Sequence, residues 1–433
     1  MKKYTIGLDL GSSSVKAVLF DGEKVVANAS AQFYYKDSML KEGVSYIGFD
    51  ADEFYATIVG VIKELAEKSP QPIYGLAFAS ASGNTLLLDE KNKPLLDAYS
   101  WMNKAYPEEV SQILGDFDKE YIRQTCGWGF SNIMPLSHLS HIKVHAPELL
   151  KKAKKVCMTT EYVLYKLTGK WGIDRSTATP FFLADQESGT WHKPYLGAIG
   201  ICESQLMPIG ETGDFLGTIR KEVIAETGLS ENTKVFLGSF DHPSGARANG
   251  VDEEGALLLS CGTSWVGFFP YHDRQTILEN RMLCDPFLQL QKGLWGAMFS
   301  LACISMKIEY FIDKYIDNSK DKFAIFNALA AKAKAGAGGL SIDLYQDTER
   351  DLSEYSKENI CMALMESPAK LLKEKLEVLQ TKGITFHKAY MAGGPSKSPI
   401  WHKVVERIIG LPITITYGVD SGAVGAALLA QKE

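Results

Sequence analysis

The chain has 433 residues, too many for one hydrophobic core, which stops growing near roughly 250–300 residues, so two domains or three are expected. Its 45% hydrophobic and 23% charged residues exclude a disordered chain, and a net charge of −6 without a long basic block argues against a nucleic-acid-binding surface. The opening apolar run is broken by Asp9 and Gly11, too soon for a signal-peptide core, and no stretch approaches the roughly 18 apolar residues of a membrane span. A cytoplasmic protein is expected, with neither nucleic acid nor membrane as a partner.

The seven cysteines are dispersed without a CxxC pair and read as reduced, buried thiols.

In chain order, Tyr4 to Leu10 is a β-rich run, Gly11-Ser12-Ser13-Ser14 supplies a turn, and Val15 to Phe20 is a second strand. Asp21-Gly22 is a hairpin signal leading into Lys24-Val25-Val26, which makes the opening an antiparallel meander. From Asp52 to Lys68 the apolar residues recur at helical spacing, with Asp52 as the candidate N-cap. Strands follow at Ile73 to Ala79 and at Thr85 to Leu88, and such mixing predicts an α/β fold.

A later passage repeats the opening. Leu257 to Ser260, the turn Cys261-Gly262-Thr263-Ser264 and Val266 to Phe269 match the first strand, turn and strand at one constant offset, which suggests a duplicated unit. Before it, Val235 to Gly238 reads as a strand running to Asp241. The predicted division is 1–236 and 237–433, and the last helix can pack back toward the first domain. Helices are expected over roughly 300–315, 320–335 and 357–381. The strand Ala389 to Ala392, a Gly-Gly turn and a helix from about Pro399 to Ile409 come next, then a strand from Ile413 to Tyr417 and a helix from Ser421 to Ala430.

Several positions can carry chemistry. Asp9 lies in an apolar strand, where a charge needs a partner, a cation or hydrogen bonds; it fits either a turn-capping carboxylate or a residue holding a divalent metal through water. Next to it, the N–H and O–H groups of Gly11, Ser12 and Ser13 can converge on phosphate, Lys16 can add positive charge, and Gly262-Thr263 can grip phosphate in the same way. Neither turn is a Walker loop. Asp241, just past a strand, is either a general base in a crevice between domains or an N-cap for a helix near Pro243. Gly393 and Gly394 allow close backbone approach to a ligand or form a plain helix-start turn, with Ser398 as candidate N-cap. His138, His141 and His145 share a helical face; with no carboxylate or thiol at suitable spacing, a helix surface is favoured over a metal site.

Together IGLDLGSSSVKAVLFD, PLSHLSHIKVHAPELLKKAKKVCMTTEYVLYKLTGKWGIDRSTAT, SFDHPSGARANG, SCGTSWVG, MAGGPSKSPIW and SGAVGAALLA resemble the FGGY family of carbohydrate kinases, nearly end to end. The resemblance implies an α/β fold of two ribonuclease-H-like domains, the actin-like ATPase architecture, with ATP in an interdomain cleft, sugar on the N-terminal side and closure on binding. It implies an ATP- and Mg²⁺-dependent kinase acting on a hydroxyl of a small sugar, ketose or polyol.

By the same resemblance Asp9 is the magnesium-associated acid, Ser12 and Ser13 belong to one phosphate turn, and Gly262-Thr263 to the other. Asp241 is the general base, and Gly393, Gly394 and Ser398 belong to the adenosine loop. Ser82, Gly83, Asn84, Trp101, Asn103 and His242 would line the acceptor pocket. The chain departs from the family at Ala81-Ser82-Gly83-Asn84, where Gln-Met-His-Gly or Arg-Glu is common, and at Trp101-Met102-Asn103-Lys104, where Trp-x-Asp-x-Arg is usual. His138 and His141 stand where Lys and Trp are usual. The acceptor stays unassigned, and homodimerisation is left open. The rival readings are an actin-like or chaperone-like ATPase and a sensor of sugar or nucleotide that has lost transfer.

Overall fold

The structure, a computed structural model, describes residues 2–103, 107–115, 118–131, 133–288, 293–416 and 420–431. The predicted strand end at Tyr417 and the residue Lys104 lie outside these. The chain forms two compact units: Met1–Ala248 with Arg274–Trp295 and Gly422–Glu433, and Asn249–Asp273 with Gly296–Ser421.

In the first unit, β1 (Tyr4–Leu10), β2 (Ser14–Phe20) and β3 (Val25–Gln32) form the predicted antiparallel meander. On the other side of β1 lies β4 (Ile73–Ser80), parallel to it, then β5 (Phe215–Thr218) and β6 (Lys234–Phe236), giving the order β5-β6-β4-β1-β2-β3. A two-residue strand β7 (Ser239–Phe240) also pairs with β4. That pairing explains why this unit runs past the expected boundary at 236/237: Ser239 and Phe240 are strand partners of Ala79 and Ser80, and the helix Asp241–Ala248 follows directly. The chain bends at Gly238, where a Cβ would lie 1.7 Å from the Phe78 carbonyl oxygen.

Helix Ala51–Lys68 covers this sheet with Phe54, Ile58, Val61, Ile62 and Leu65 buried. Its cap is Asp50, which accepts from the N–H groups of Asp52 and Glu53, two residues earlier than the predicted cap Asp52. The final helix, Ser421–Leu429, contributes Ala423, Val424 and Ala427 to a cluster with Val18, Phe20 and Ala248. Small residues permit this approach: a Cβ on Gly7 would fall 1.9 Å from the Ala423 carbonyl oxygen.

The second unit repeats the plan. Its strands β8 (Ala256–Cys261) and β9 (Trp265–Tyr271) form the second hairpin, followed by β10 (Leu294–Leu301), which is mostly in this unit, β11 (Lys388–Gly393) and β12 (Ile413–Ile415). The order β10-β9-β8-β11-β12, with β8 and β11 parallel, reproduces β3-β2-β1-β4-β6. The duplication inferred from one short sequence match therefore extends through the sheet.

The two hairpins differ in register. Leu10 pairs with Val15, leaving Gly11 to Ser14 in the first turn, whereas Cys261 pairs with Trp265, leaving only Gly262 to Ser264 in the second. A one-residue slip changes which side chains share a face. In the first hairpin Lys16 is thus the cross-strand partner of Asp9; in the second, Val266 stands opposite Ser260. Three expected helices appear as Ile304–Tyr315, Lys322–Ala330 and Lys357–Gln380, the first starting later because Leu294–Leu301 is strand. All seven cysteines are free; Cys202 and Cys303 are exposed, the others buried. Among the described residues no helix is long and apolar enough to cross a membrane.

Candidate active site

The register of the first sheet aligns three parallel strands at their carboxyl ends. Asp9, Ala79 and Ser239 form one row across β1, β4 and β7; Leu10, Ser80 and Phe240 form the next. The chain segments that leave the sheet side by side therefore begin at Gly11, Ala81 and Asp241. With strands spaced about 4.8 Å apart, the turn that begins at Gly11 and Asp241 flank the Ala81 turn at roughly 10 Å from each other. Carboxyl ends of parallel strands are where open α/β sheets bind ligands.

Asp9 is half-buried and has Lys16 as its cross-strand partner, also half-buried, so the pair shares one face of the sheet. Gly422 closes over the carboxylate: a Cβ there would lie 2.6 Å from Asp9 Oδ2. The Gly422 carbonyl accepts a 2.8 Å hydrogen bond from Ser244 Oγ in the helix that Asp241 begins. Asp241 Oδ1 accepts from the His242 N–H at 2.7 Å, and the His242 ring lies 5.6 Å from that of Phe240. Asp241 thus stands in the first turn of its helix and is half-buried rather than sealed.

Behind Asp241 is a layer the sequence reading missed. Ser176 Oγ accepts from the Phe240 N–H at 3.0 Å and donates to the buried Asp285 Oδ2 at 2.6 Å. Burial pushes Asp285 up to about 7 and Asp174 up to about 6, and holds the Arg247 guanidinium down to about 10. Arg247 Nη1 donates to Ser239 Oγ at 3.3 Å, so the strand that delivers Asp241 is fixed on both sides. The only signal was the segment IDRSTAT, whose partner at 285 is more than a hundred residues away.

The turn after Ala81 is strained: Ser82 at φ 51° is followed by Gly83 at φ 81°, and a non-glycine residue there is uncommon. Ser82, Asn84 and Trp101 line a small cavity of about 20 Å³ together with Gly11, Ser12, Tyr35, Ser80, Thr159 and Thr160. That is room for about one water. Four of these walls went unrecognised in the sequence: Thr159, Tyr35, whose hydroxyl donates to the Ser12 carbonyl, and Ser80 and Thr160, whose hydroxyls bond at 2.8 Å. Gly83 stands against Met134, where a Cβ would come within 3.0 Å of Sδ. Asn84 Oδ1 accepts from the Thr159 N–H at 2.7 Å.

Asn103 does not join this wall. Its amide bridges backbone, accepting from the Ile47 N–H at 2.7 Å and donating to the Ile47 and Ser100 carbonyls at 2.6 and 2.8 Å. It lines a different cavity, with His138 and His141. Nor is the histidine face a surface, as expected from spacing: His138 and His141 are 2% and 5% exposed, and Glu109 from the helix Pro107–Leu114 reaches His141 and His145.

The second unit gathers its own set. Gly262, Thr263, Gly394 and Ser398 line a cavity of about 500 Å³ with Phe323, Phe326, Asn327 and Trp401. The adjacent glycines do different work. At Gly393, φ is 98° and a Cβ would lie 2.3 Å from the Cys261 carbonyl oxygen, so glycine is required by strand approach; Gly394 faces open space at the cavity. Helix Trp401–Ile409 begins two residues beyond the predicted start, so its cap position is Ile400 rather than Ser398, although the Ser398 hydroxyl accepts from the Trp401 N–H at 3.2 Å. Its hydroxyl also donates to Asn327 Oδ1 at 2.6 Å. The Trp401 indole N–H is buried with no partner among the described residues. Ser305 Oγ and N–H donate to the Gly262 and Thr263 carbonyls at 2.6 and 3.1 Å, and the Gly262 N–H closes the turn on the Ser264 carbonyl at 3.1 Å.

Residues 4–247 match the FGGY family of carbohydrate kinases, N-terminal domain, and residues 346–432 match the C-terminal domain of the same family. A xylulose kinase of Bacillus subtilis (strain 168) is 25% identical, with 99% of this chain and 88% of that protein covered. An autoinducer-2 kinase of Photorhabdus laumondii subsp. laumondii is 23% identical over 99% and 86% of the two chains. Among solved structures, xylulose kinase from Rhodospirillum rubrum superposes with a TM-score of 0.86 at 24% identity, covering 99% of this chain and 89% of that one. Gluconate kinase from Lactobacillus acidophilus superposes with a TM-score of 0.85 at 20% identity, covering 100% and 89%, so the actin-like two-domain fold is shared. This chain belongs to the FGGY family of carbohydrate kinases, phosphotransferases that use ATP to phosphorylate a hydroxyl of a small sugar.

Proposed function

We propose that this kinase acts on a small neutral ketose or polyol, with Asp241 as the general base. What carries the reading is the row formed by Gly11, Ala81 and Asp241, which sets a carboxylate and a phosphate-type turn on either side of the strained Ser82-Gly83-Asn84 turn. Asp241 accepts the proton of the acceptor hydroxyl as its oxygen attacks the γ-phosphorus; the bond to the β-γ bridging oxygen breaks and ADP leaves. His242 and the layer through Ser176 hold that carboxylate's backbone in place.

The acceptor walls supply hydroxyls from Ser80, Ser82, Thr159 and Thr160 and the amide of Asn84, over Trp101 and Tyr35. None of the described residues lining that cavity carries a positive charge, which favours a neutral polyhydroxylated acceptor such as a pentulose over a sugar acid such as gluconate. The single-water volume means that Tyr35 or Trp101 swings away to admit it.

Ser12 and Ser13 in the first unit, and Thr263 beside Gly262 in the second, offer N–H and O–H donors to phosphate oxygens, with Lys16 adding charge. The adenosine moiety fits the cavity lined by Phe326, Trp401 and Gly394. Asp9 suits Mg²⁺, being a half-buried carboxylate with oxygen donors for a hard cation, and the ion when bound neutralises phosphate charge. An Asp241→Asn variant tests the assignment: phosphorylation of every ketose and polyol in a panel should vanish while ATP binding by fluorescence titration stays within about twofold. Wild-type turnover by that variant would sink the base assignment, and faster turnover of gluconate than of neutral ketoses would sink the acceptor class.

A further inference from the structure

Helix Pro135–His145 carries His141 and His145 one turn apart, and helix Pro107–Leu114 brings Glu109 to both. His141 Nδ1 lies 2.7 Å from Glu109 Oε2, and His145 Nε2 lies 2.5 Å from Oε1. The three ligand-type atoms fall within 4.8 Å of one another. The carboxylate is only 15% exposed, and the histidine side chains 7% and 26%.

A second observation points the same way. The cavity of about 280 Å³ that His141 helps to line also takes in His138, which is 2% exposed. His138 Nδ1 is engaged by Thr85 Oγ1 at 3.0 Å, but Nε2 has no partner among the described residues. A buried imidazole with one unsatisfied nitrogen, in a cavity that His141 also lines, is costly unless something occupies the space.

We propose that Glu109, His141 and His145 form a site for a divalent transition metal of the Zn²⁺ type, apart from the row of Asp9 and Asp241. Two imidazoles and one carboxylate are a donor set zinc accepts at about 2.0–2.2 Å each, leaving a fourth position for water or a small anion on the cavity side. Mg²⁺ prefers an all-oxygen, octahedral shell and does not compete well for imidazole. In this arrangement the Glu109 carboxylate draws back by less than its present hydrogen-bond length to admit the ion. Occupancy pins helix Pro107–Leu114 to helix Pro135–His145, whose preceding residue Met134 backs Gly83 of the acceptor turn. The competing arrangement is a carboxylate that merely accepts two imidazole N–H bonds.

The test uses the full chain, stripped with chelator and returned to Mg²⁺ buffer, with Cys202→Ser and Cys303→Ser removing the exposed thiols. Zn²⁺ is titrated against a chromophoric chelator. One equivalent should bind at micromolar Kd or tighter, and His145→Gln or Glu109→Gln should weaken it by more than about 100-fold, beyond the loss typical of an outer-shell partner. The same ion should raise the melting temperature of the parent but not of the variants. No binding, or equal binding by parent and variants, overturns the site. Should the variants fail to fold, Co²⁺ absorption of the parent decides: nitrogen and oxygen ligation supports the site, and a thiolate charge-transfer band or an unbound hexaaquo spectrum refutes it.

Discussion

Asp9 and Gly422, separated by almost the whole chain, meet so closely that a Cβ on Gly422 would sit 2.6 Å from the Asp9 carboxylate oxygen. The glycine's carbonyl is simultaneously held by Ser244, three residues after Asp241. One small residue at the start of the last helix therefore links the metal-candidate acid to the base-candidate helix. Gly422→Ala must displace the carboxylate or the helix. With a shift of about 1 Å, kcat is expected to fall by about 100-fold. Steady-state kinetics with a matched melting curve checks this; unchanged kcat would show that the contact does not position Asp9.

Glu161 is fully buried, with one oxygen accepting from the Met158 N–H at 2.7 Å and the other without a partner among the described residues. Burial pushes its carboxyl up to about 8. The folded chain holds this proton where the unfolded chain, titrating near about 4.3, has lost it. Stability from this group is thus complete below about pH 4 and falls by about 1.4 kcal/mol per pH unit until about pH 8. Glu161→Gln keeps the acceptor and removes the titration. Urea midpoints of parent and variant should diverge in the variant's favour from pH 5 to pH 8, and parallel profiles would contradict the buried proton.

Ser398 has one hydroxyl serving two ends, the start of helix Trp401–Ile409 and the Asn327 amide. In Ser398→Ala the amide loses its orientation at the cavity wall. Losing one hydrogen bond of this kind raises KM for ATP by about fivefold with kcat nearly unchanged. A KM that does not move would place the nucleotide elsewhere.

Asn103→Ala removes two bonds that tie the segment after Trp101 to the Ile47 backbone and a third to the Ser100 carbonyl. A stability loss of about 2 kcal/mol is expected. Because the amide faces away from the acceptor walls, the loss should exceed that of Asn84→Ala, whereas Asn84→Ala should have the larger effect on KM for sugar. Chemical denaturation and acceptor kinetics on the two variants distinguish the roles, and the reverse order would return Asn103 to the acceptor site.

Local pattern alone made much of this protein legible. Alternating apolar runs around Gly-Ser-Ser and Gly-Thr-Ser turns announced both hairpins, and Asp9 and Asp241 stood out as acids at strand ends. These signals are local because strand period, turn chemistry and a charge in an apolar run are all properties of neighbouring residues. What the folded chain decided depended on partners far apart in sequence. Register, shifted by one between the hairpins, put Lys16 rather than a valine opposite its acid. The short strand Ser239–Phe240 set Asp241 just past the carboxyl edge of the first sheet, and Asn103 was consumed by Ile47. Glu109 reached the histidines from another helix, and Gly422 met Asp9 from the opposite end of the chain. Hydrogen bonds and van der Waals contacts act over a few ångströms of space, so only folding determines which distant residues share them.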